Sequence, residues 1–115
     1  MSDIKEIIEK IKKFRDERDW MQFHDPKNMA VSIIIEAAEL LEHFQWKSKE
    51  EVENYIKNNK NEVAEEIADV LIYLFELADN LGLDVVDIID KKIDKNSRKY
   101  PVEKVKGKST KYNKL

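Results

Sequence analysis

Apolar residues recur every three or four positions along almost the whole chain, and only two Gly and two Pro interrupt them. That spacing favours α-helices, and so little Gly and Pro leaves few sites for tight turns, so the chain reads as all-α. Ile4, Ile7, Ile8, Ile11 and Phe14 form one face of a first helix, predicted from a Ser2 cap to about Asp19. Asp25-Pro26 opens a second helix, with Pro in the first turn where its missing N–H costs nothing. The apolar face of that helix is Met29, Ile33, Ile34, Ala37, Leu40, Leu41 and Phe44. Ser48-x-x-Glu51 is a capping box for a short helix reaching about Lys57, and Asn58-Asn59-Lys60-Asn61 is a loop or a kink. A long helix follows from about Glu62 to Asn80, with Gly82 as its stop signal. Asp84 caps a last helix bearing Val85, Ile88, Ile89 and Ile93, which should end before Pro101.

At 115 residues the size prior is one domain, here residues 1–101, followed by a basic tail over 102–115 that is expected to be solvated and flexible. Five lysines against Glu103 put the tail at +4, so a net charge of −3 leaves −7 on the rest. An acidic body with a basic end is a poor nucleic-acid reader, and Tyr112 alone makes no stacking platform, so no stable nucleic-acid binding is expected. There is no Cys, which excludes thiolate metal sites and suits a reducing compartment. The start of the chain alternates Ile with charged residues, unlike a signal peptide, and no run approaches the roughly 20 apolar residues of a membrane span. A cytoplasmic location without membrane contact is the expectation.

Two carboxylate pairs stand out inside otherwise apolar helical segments: Glu36-Ala37-Ala38-Glu39 and Glu66-Ile67-Ala68-Asp69. Residues three apart share a helix face, about 5–6 Å apart at Cβ, so each pair can flank one cation. Antiparallel packing of the two helices would unite all four acids, and the Ala residues allow a close approach. Unpaired carboxylates in such surroundings are costly and rise in pKa. A hard cation such as Mg²⁺, which takes carboxylate, water and phosphate oxygens, relieves both. The alternative is that the four acids border the core and pair with Lys or Arg.

A ferritin-like di-iron bundle also gathers carboxylates, but it needs Glu-x-x-His on two helices. Met21 and Leu40 stand three residues before the two histidines, so that reading fails. Gly82 and Gly107 are isolated and build no P-loop. If the chain handles phosphates, a metal and Lys or Arg must hold them.

The first pair, separated by 26 residues from Glu66 within Glu65-Glu66-x-x-Asp69, resembles the acidic motif of the MazG-like, all-α nucleotide pyrophosphohydrolases. The stretch Glu17-Arg18-Asp19-Trp20-x-Gln22-Phe23-His24-x-Pro26-Lys27-Asn28-Met29 extends the match, as do Phe44-Gln45-Trp46 and Asp69-Val70-Leu71-Ile72-Tyr73-Leu74. With Lys92-x-x-x-Asn96-x-Arg98-Lys99-Tyr100-Pro101, these blocks look like the dCTP pyrophosphatase branch over roughly residues 4 to 101.

The resemblance implies a four-helix-bundle-type fold and hydrolysis of a (deoxy)nucleoside triphosphate, dCTP-like or modified, to the monophosphate and pyrophosphate. It implies that Glu36, Glu39, Glu66 and Asp69 bind Mg²⁺, with Glu65, one position off the ligand face, either orienting water or simply solvated. Lys92, Asn96 and Lys99 share one face of the last helix, and the matching residues in the family approach the nucleotide and its phosphates. Basic residues there would also complement the helix dipole. Trp20 and Trp46 are candidates to stack on the base, or are core. Tyr73 is a candidate for sugar or phosphate contact, Asn28 for nucleotide contact, and His24 for a capping or surface role.

Apolar faces on every main helix exceed what one slim bundle buries, which argues for a homo-oligomer. The family resemblance points likewise to dimers or tetramers whose neighbouring chains help build the pocket. A non-enzymatic helical interaction module is the alternative function, but it would have no physical need for four carboxylates near its core.

Overall fold

The computed structural model describes residues 3–114, so the expected Ser2 cap lies outside the described residues. The described residues are helical with connecting turns and contain no strand. Helix α1 spans Asp3–Glu17, α2 Pro26–Glu42, α3 Lys49–Asn80 and α4 Val85–Lys99, with a short α5 at Val102–Val105. One-turn 3₁₀ segments lie at Met21–Phe23 and Tyr112–Lys114.

Local chemistry places each helix start. The Asp25 side chain accepts from the Asn28 N–H with Pro26 at the first helical position. Ser48 and Glu51 form the reciprocal capping box, and Asp84 accepts from the Asp87 N–H. The ends are equally local. Helix α1 stops two residues short of the expected Asp19, because Asp19 takes a left-handed φ of 54° and the Trp20 N–H reaches back to the Arg15 carbonyl at 3.1 Å. Gly82, at φ 74°, ends α3 in the same manner, with the Leu83 N–H on the Ala78 carbonyl at 2.9 Å. Of the two readings for Asn58–Asn61, the structure has the kink: α3 runs through, and only Asn59 leaves helical geometry (φ −129°, ψ 26°).

Helices α2 and α3 pack antiparallel, since Ser32 lies near Tyr73, Glu39 meets Glu66 and, just past the end of α2, His43 Nδ1 bonds the Tyr55 hydroxyl. Helix α1 lies on the C-terminal part of α3, held there by Arg15 and Lys12 against Glu76 and Asp79. The buried apolar residues are few: Ile8, Ile11, Met29, Val63 and Val85. Ile34 and Leu41, expected to be core, are 69% and 55% exposed, and Ile89 and Ile93 on α4 are exposed too. Helix α2 is apolar on more than one side, and α3 covers only one of them, so a single chain cannot bury the remainder. In the tail, Tyr112 sets its ring edge-on to Tyr100, with Lys99 Nζ 4.6 Å from its ring centre.

Candidate metal centre and adjoining cavity

Spacing of three on α2 and antiparallel packing on α3 converge Glu36, Glu39 and Glu66, whose carboxylate oxygens lie within 4.8 Å of one another. Glu39 sits between the other two, in carboxyl–carboxyl contact with each. Glu36 Oε2 and Glu66 Oε2 are buried, and no donor among the described residues reaches either. Burial, then the contact with Glu39 and the charges of Glu39, Asp69 and Glu66, pushes Glu36 up to about 7. Burial and the Glu39 and Asp69 charges raise Glu66 as well. These are the orphaned lone pairs and mutual repulsion that a divalent cation relieves, and an all-oxygen donor set suits a hard ion. The residues therefore fit a bound Mg²⁺.

Asp69 is not one of the three converging acids. It stands one turn beyond Glu66, close enough for its charge to act on Glu36 and Glu66, and it lines a cavity of about 480 Å³. That largely apolar cavity is lined by Trp20, Tyr73, Ile7, Ile11, Phe14 and Ile72, with Asp69 at its edge toward the carboxylate cluster. Trp20 meets Phe14 edge-on at 5.7 Å between ring centres. The Tyr73 hydroxyl is held up in pKa by burial and then by the charges of Glu36, Asp69 and Glu76. On the other side of the cluster, Glu39 and Glu66 line a second cavity of about 330 Å³ with Glu42, His43 and Tyr55.

The other expected site residues are dispersed. Trp46 is 92% exposed, has a left-handed φ of 69° and lines neither cavity. Asn28 spends its backbone N–H and its side-chain amide on Asp25, at 2.9 and 2.6 Å. Glu65 is exposed, and Lys92, Asn96 and Lys99 on α4 line neither cavity. His24 corrects its expected role: Asp25 is the cap, and the His24 ring is instead tucked against Glu76, with Nδ1 2.7 Å from Oε2.

Glu76 is the residue that sequence reasoning missed. It is 2% exposed and lines the larger cavity with Arg15 and His24. Its signal was present, because Glu66, Asp69, Tyr73, Glu76 and Asn80 advance by three and four and so form one stripe of α3.

A fold of this kind, with acids from two antiparallel helices set beside an aromatic-walled slot, defines a class of all-helical, metal-ready proteins. The chain belongs to the MazG-like family, whose sequence model matches residues 31–115. It is 39% identical over 104 residues to dCTP pyrophosphatase 1 of Bos taurus and 38% identical over 104 residues to that of Homo sapiens. Those alignments cover 89% of this chain but 62% and 61% of the two relatives, so the chain spans about three fifths of their length. The crystal structure of a pyrophosphatase from Archaeoglobus fulgidus superposes with a TM-score of 0.84 at 47% identity, covering 88% of this chain and 94% of that one. No helix among the described residues is long and apolar enough to cross a membrane.

Proposed function

We propose that the protein is a Mg²⁺-dependent pyrophosphohydrolase that converts a dCTP-like or modified nucleoside triphosphate to its monophosphate and pyrophosphate. The observation that carries this reading is the pair of buried, donorless carboxylate oxygens on Glu36 and Glu66, one turn from Asp69, which lines the apolar cavity together with Trp20 and Tyr73. Similarity to the dCTP pyrophosphatases supports the reaction class. Glu36, Glu39, Glu66 and Asp69 are the residues that would hold the cation. A bound Mg²⁺ would there neutralise phosphate charge and lower the pKa of the attacking water.

The remaining work is positioning. Water oxygen bonds to the α-phosphorus as the α–β bridge oxygen departs with pyrophosphate, so no protein nucleophile is required. Trp20 offers its face to the base, and Tyr73 directs its hydroxyl toward the sugar or α-phosphate. Lys92, Asn96, Lys99 and Trp46 lie outside their own chain's cavities, so they are assigned to the site of a neighbouring copy in a dimer or tetramer. The uncovered apolar faces of α2 and α4 support that assembly. A cytoplasmic role in nucleotide-pool housekeeping follows from this chemistry.

The test is a panel of canonical and modified triphosphates incubated with Mg²⁺ and assayed separately for pyrophosphate and orthophosphate. Pyrophosphate release that stops in excess chelator is the expected result. A folded protein with no turnover of any triphosphate and no Mg²⁺-dependent thermal shift would instead identify a helical interaction module.

A further inference from the structure

Part of the larger cavity's lining is a charged network of Arg15, His24 and Glu76 that the proposed chemistry does not use. Glu76 Oε2 accepts from Asn80 Nδ2 at 3.1 Å and lies 3.5 Å from Arg15 Nη1. Arg15 Nη1 also donates to Asn80 Oδ1 at 3.1 Å, while its Nε and Nη2 are taken up by Asp16. A carboxylate only accepts, so His24 Nδ1 is the donor to Glu76, at 2.7 Å from Oε2 and 3.0 Å from Oε1. Arg15 ends α1, His24 lies between α1 and α2, and Glu76 and Asn80 are on α3, so three parts of the chain meet at one carboxylate.

Trp20 lies on the span between those two anchors. Arg15 fixes the span at one end and His24 at the other, both through Glu76, and the His24 ring also stands edge-on to Tyr73 at 6.3 Å between centres. Apart from the edge-on contact of Trp20 with Phe14, little apolar burial holds this segment, since Trp20, Met21 and Phe23 are all exposed. The place of Trp20 in the cavity lining that it shares with Tyr73 is therefore tied to the tether. Salt bridges of this kind occur as plain fold stabilisers, but here the tied segment is itself the wall of the cavity.

We propose that Glu76 is a positioning residue: by binding His24 and Arg15 it holds Trp20 in the cavity lining it shares with Tyr73, where a nucleobase would stack. The role in catalysis rests on the pyrophosphohydrolase reading above, whereas the role in placing Trp20 does not.

Two measurements on the full chain separate these. In a Trp46→Phe background, where Trp20 is the only tryptophan and is excited selectively over the tyrosines, acrylamide quenching reads the position of Trp20. In the native background, steady-state kinetics on the best triphosphate reads KM and kcat. His24→Phe keeps the ring packing and removes the hydrogen bond. Arg15→Met with Glu76→Met removes both charges at similar volume and so avoids an unpaired buried ion. Both variants should quench more readily and raise KM about tenfold with kcat within about twofold, the signature of lost positioning of a binding wall. Glu76→Gln, which keeps one acceptor for Nδ1–H but loses the charge facing Arg15, should fall between wild type and the double variant in both measurements. Folded His24→Phe or double variants with wild-type quenching and KM would overturn the proposal, as would Glu76→Gln behaving like the double variant. Should the wild type hydrolyse no triphosphate, the enzyme reading falls, and quenching alone decides whether Glu76 places Trp20.

Discussion

Helix α3 carries two carboxylate centres ten residues, or about 15 Å, apart, and they are built on opposite rules. Around Glu66 the neighbours are other acids, two oxygens find no donor, and proton affinity climbs. Around Glu76, the more deeply buried of the two, the neighbours are His24, Asn80 and Arg15. The same residue type on the same helix is thus left unsatisfied in one place and fully partnered in the other. Burial is therefore not what distinguishes the two centres. What separates the two centres is burial without donors, a cost to the fold that a bound cation or a proton relieves.

Breaking each centre should give contrasting results. Glu39→Gln and Asp69→Asn are expected to lower turnover roughly a thousandfold, about 4 kcal/mol in transition-state terms, while the melting temperature of the metal-free protein holds or rises. Initial rates and differential scanning fluorimetry on the same samples check both halves. Glu76→Ala should do the reverse to stability, costing about 3 kcal/mol because Arg15 and His24 lose their acceptor. Urea denaturation reads that loss.

Glu36→Gln sharpens the contrast further. Without metal it should stabilise the protein by about 1–2 kcal/mol at pH 8, since it removes a charge held among like charges, and it should abolish the Mg²⁺-dependent thermal shift. The smallest effect is the pH dependence of that gain. A carboxyl whose folded pKa is raised contributes stability below its unfolded value of 4.5, and that contribution is lost as pH rises to about 7. The melting-temperature gap between Glu36→Gln and wild type, both metal-free, should therefore be near zero at about pH 4.5 and open through about pH 7. A gap that is constant with pH would place the charge elsewhere.

The features that could be read from sequence are those whose chemistry is local. Asp25-Pro26, Ser48 with Glu51, Asp84 and Gly82 each act within five residues, and each ends or starts a helix where expected. The meeting of Glu36, Glu39 and Glu66 was readable because a three-residue spacing fixes a shared face and antiparallel packing unites two such faces, whereas Asp69, expected with them, stands one turn away. The Glu76 network was not, since Arg15 and Asn80 are brought together across 65 positions by packing that no local pattern encodes. Helix α2 misled for the converse reason. Its apolar residues mark more than one face, so periodicity alone did not say that Ile34 and Leu41 would face outward.

The kink at Asn59 divides α3 into two pieces with different anchors. The N-terminal piece is held to α2 by His43 and Phe44 against Tyr55, while the C-terminal piece carries both carboxylate centres. A break in the ladder at Asn59 lets the first piece open without unseating the second. Amide hydrogen exchange should accordingly find two protection classes along one helix, with residues 49–58 exchanging through a low-energy local opening and the stretch beyond Val63 exchanging only when the domain unfolds as a whole.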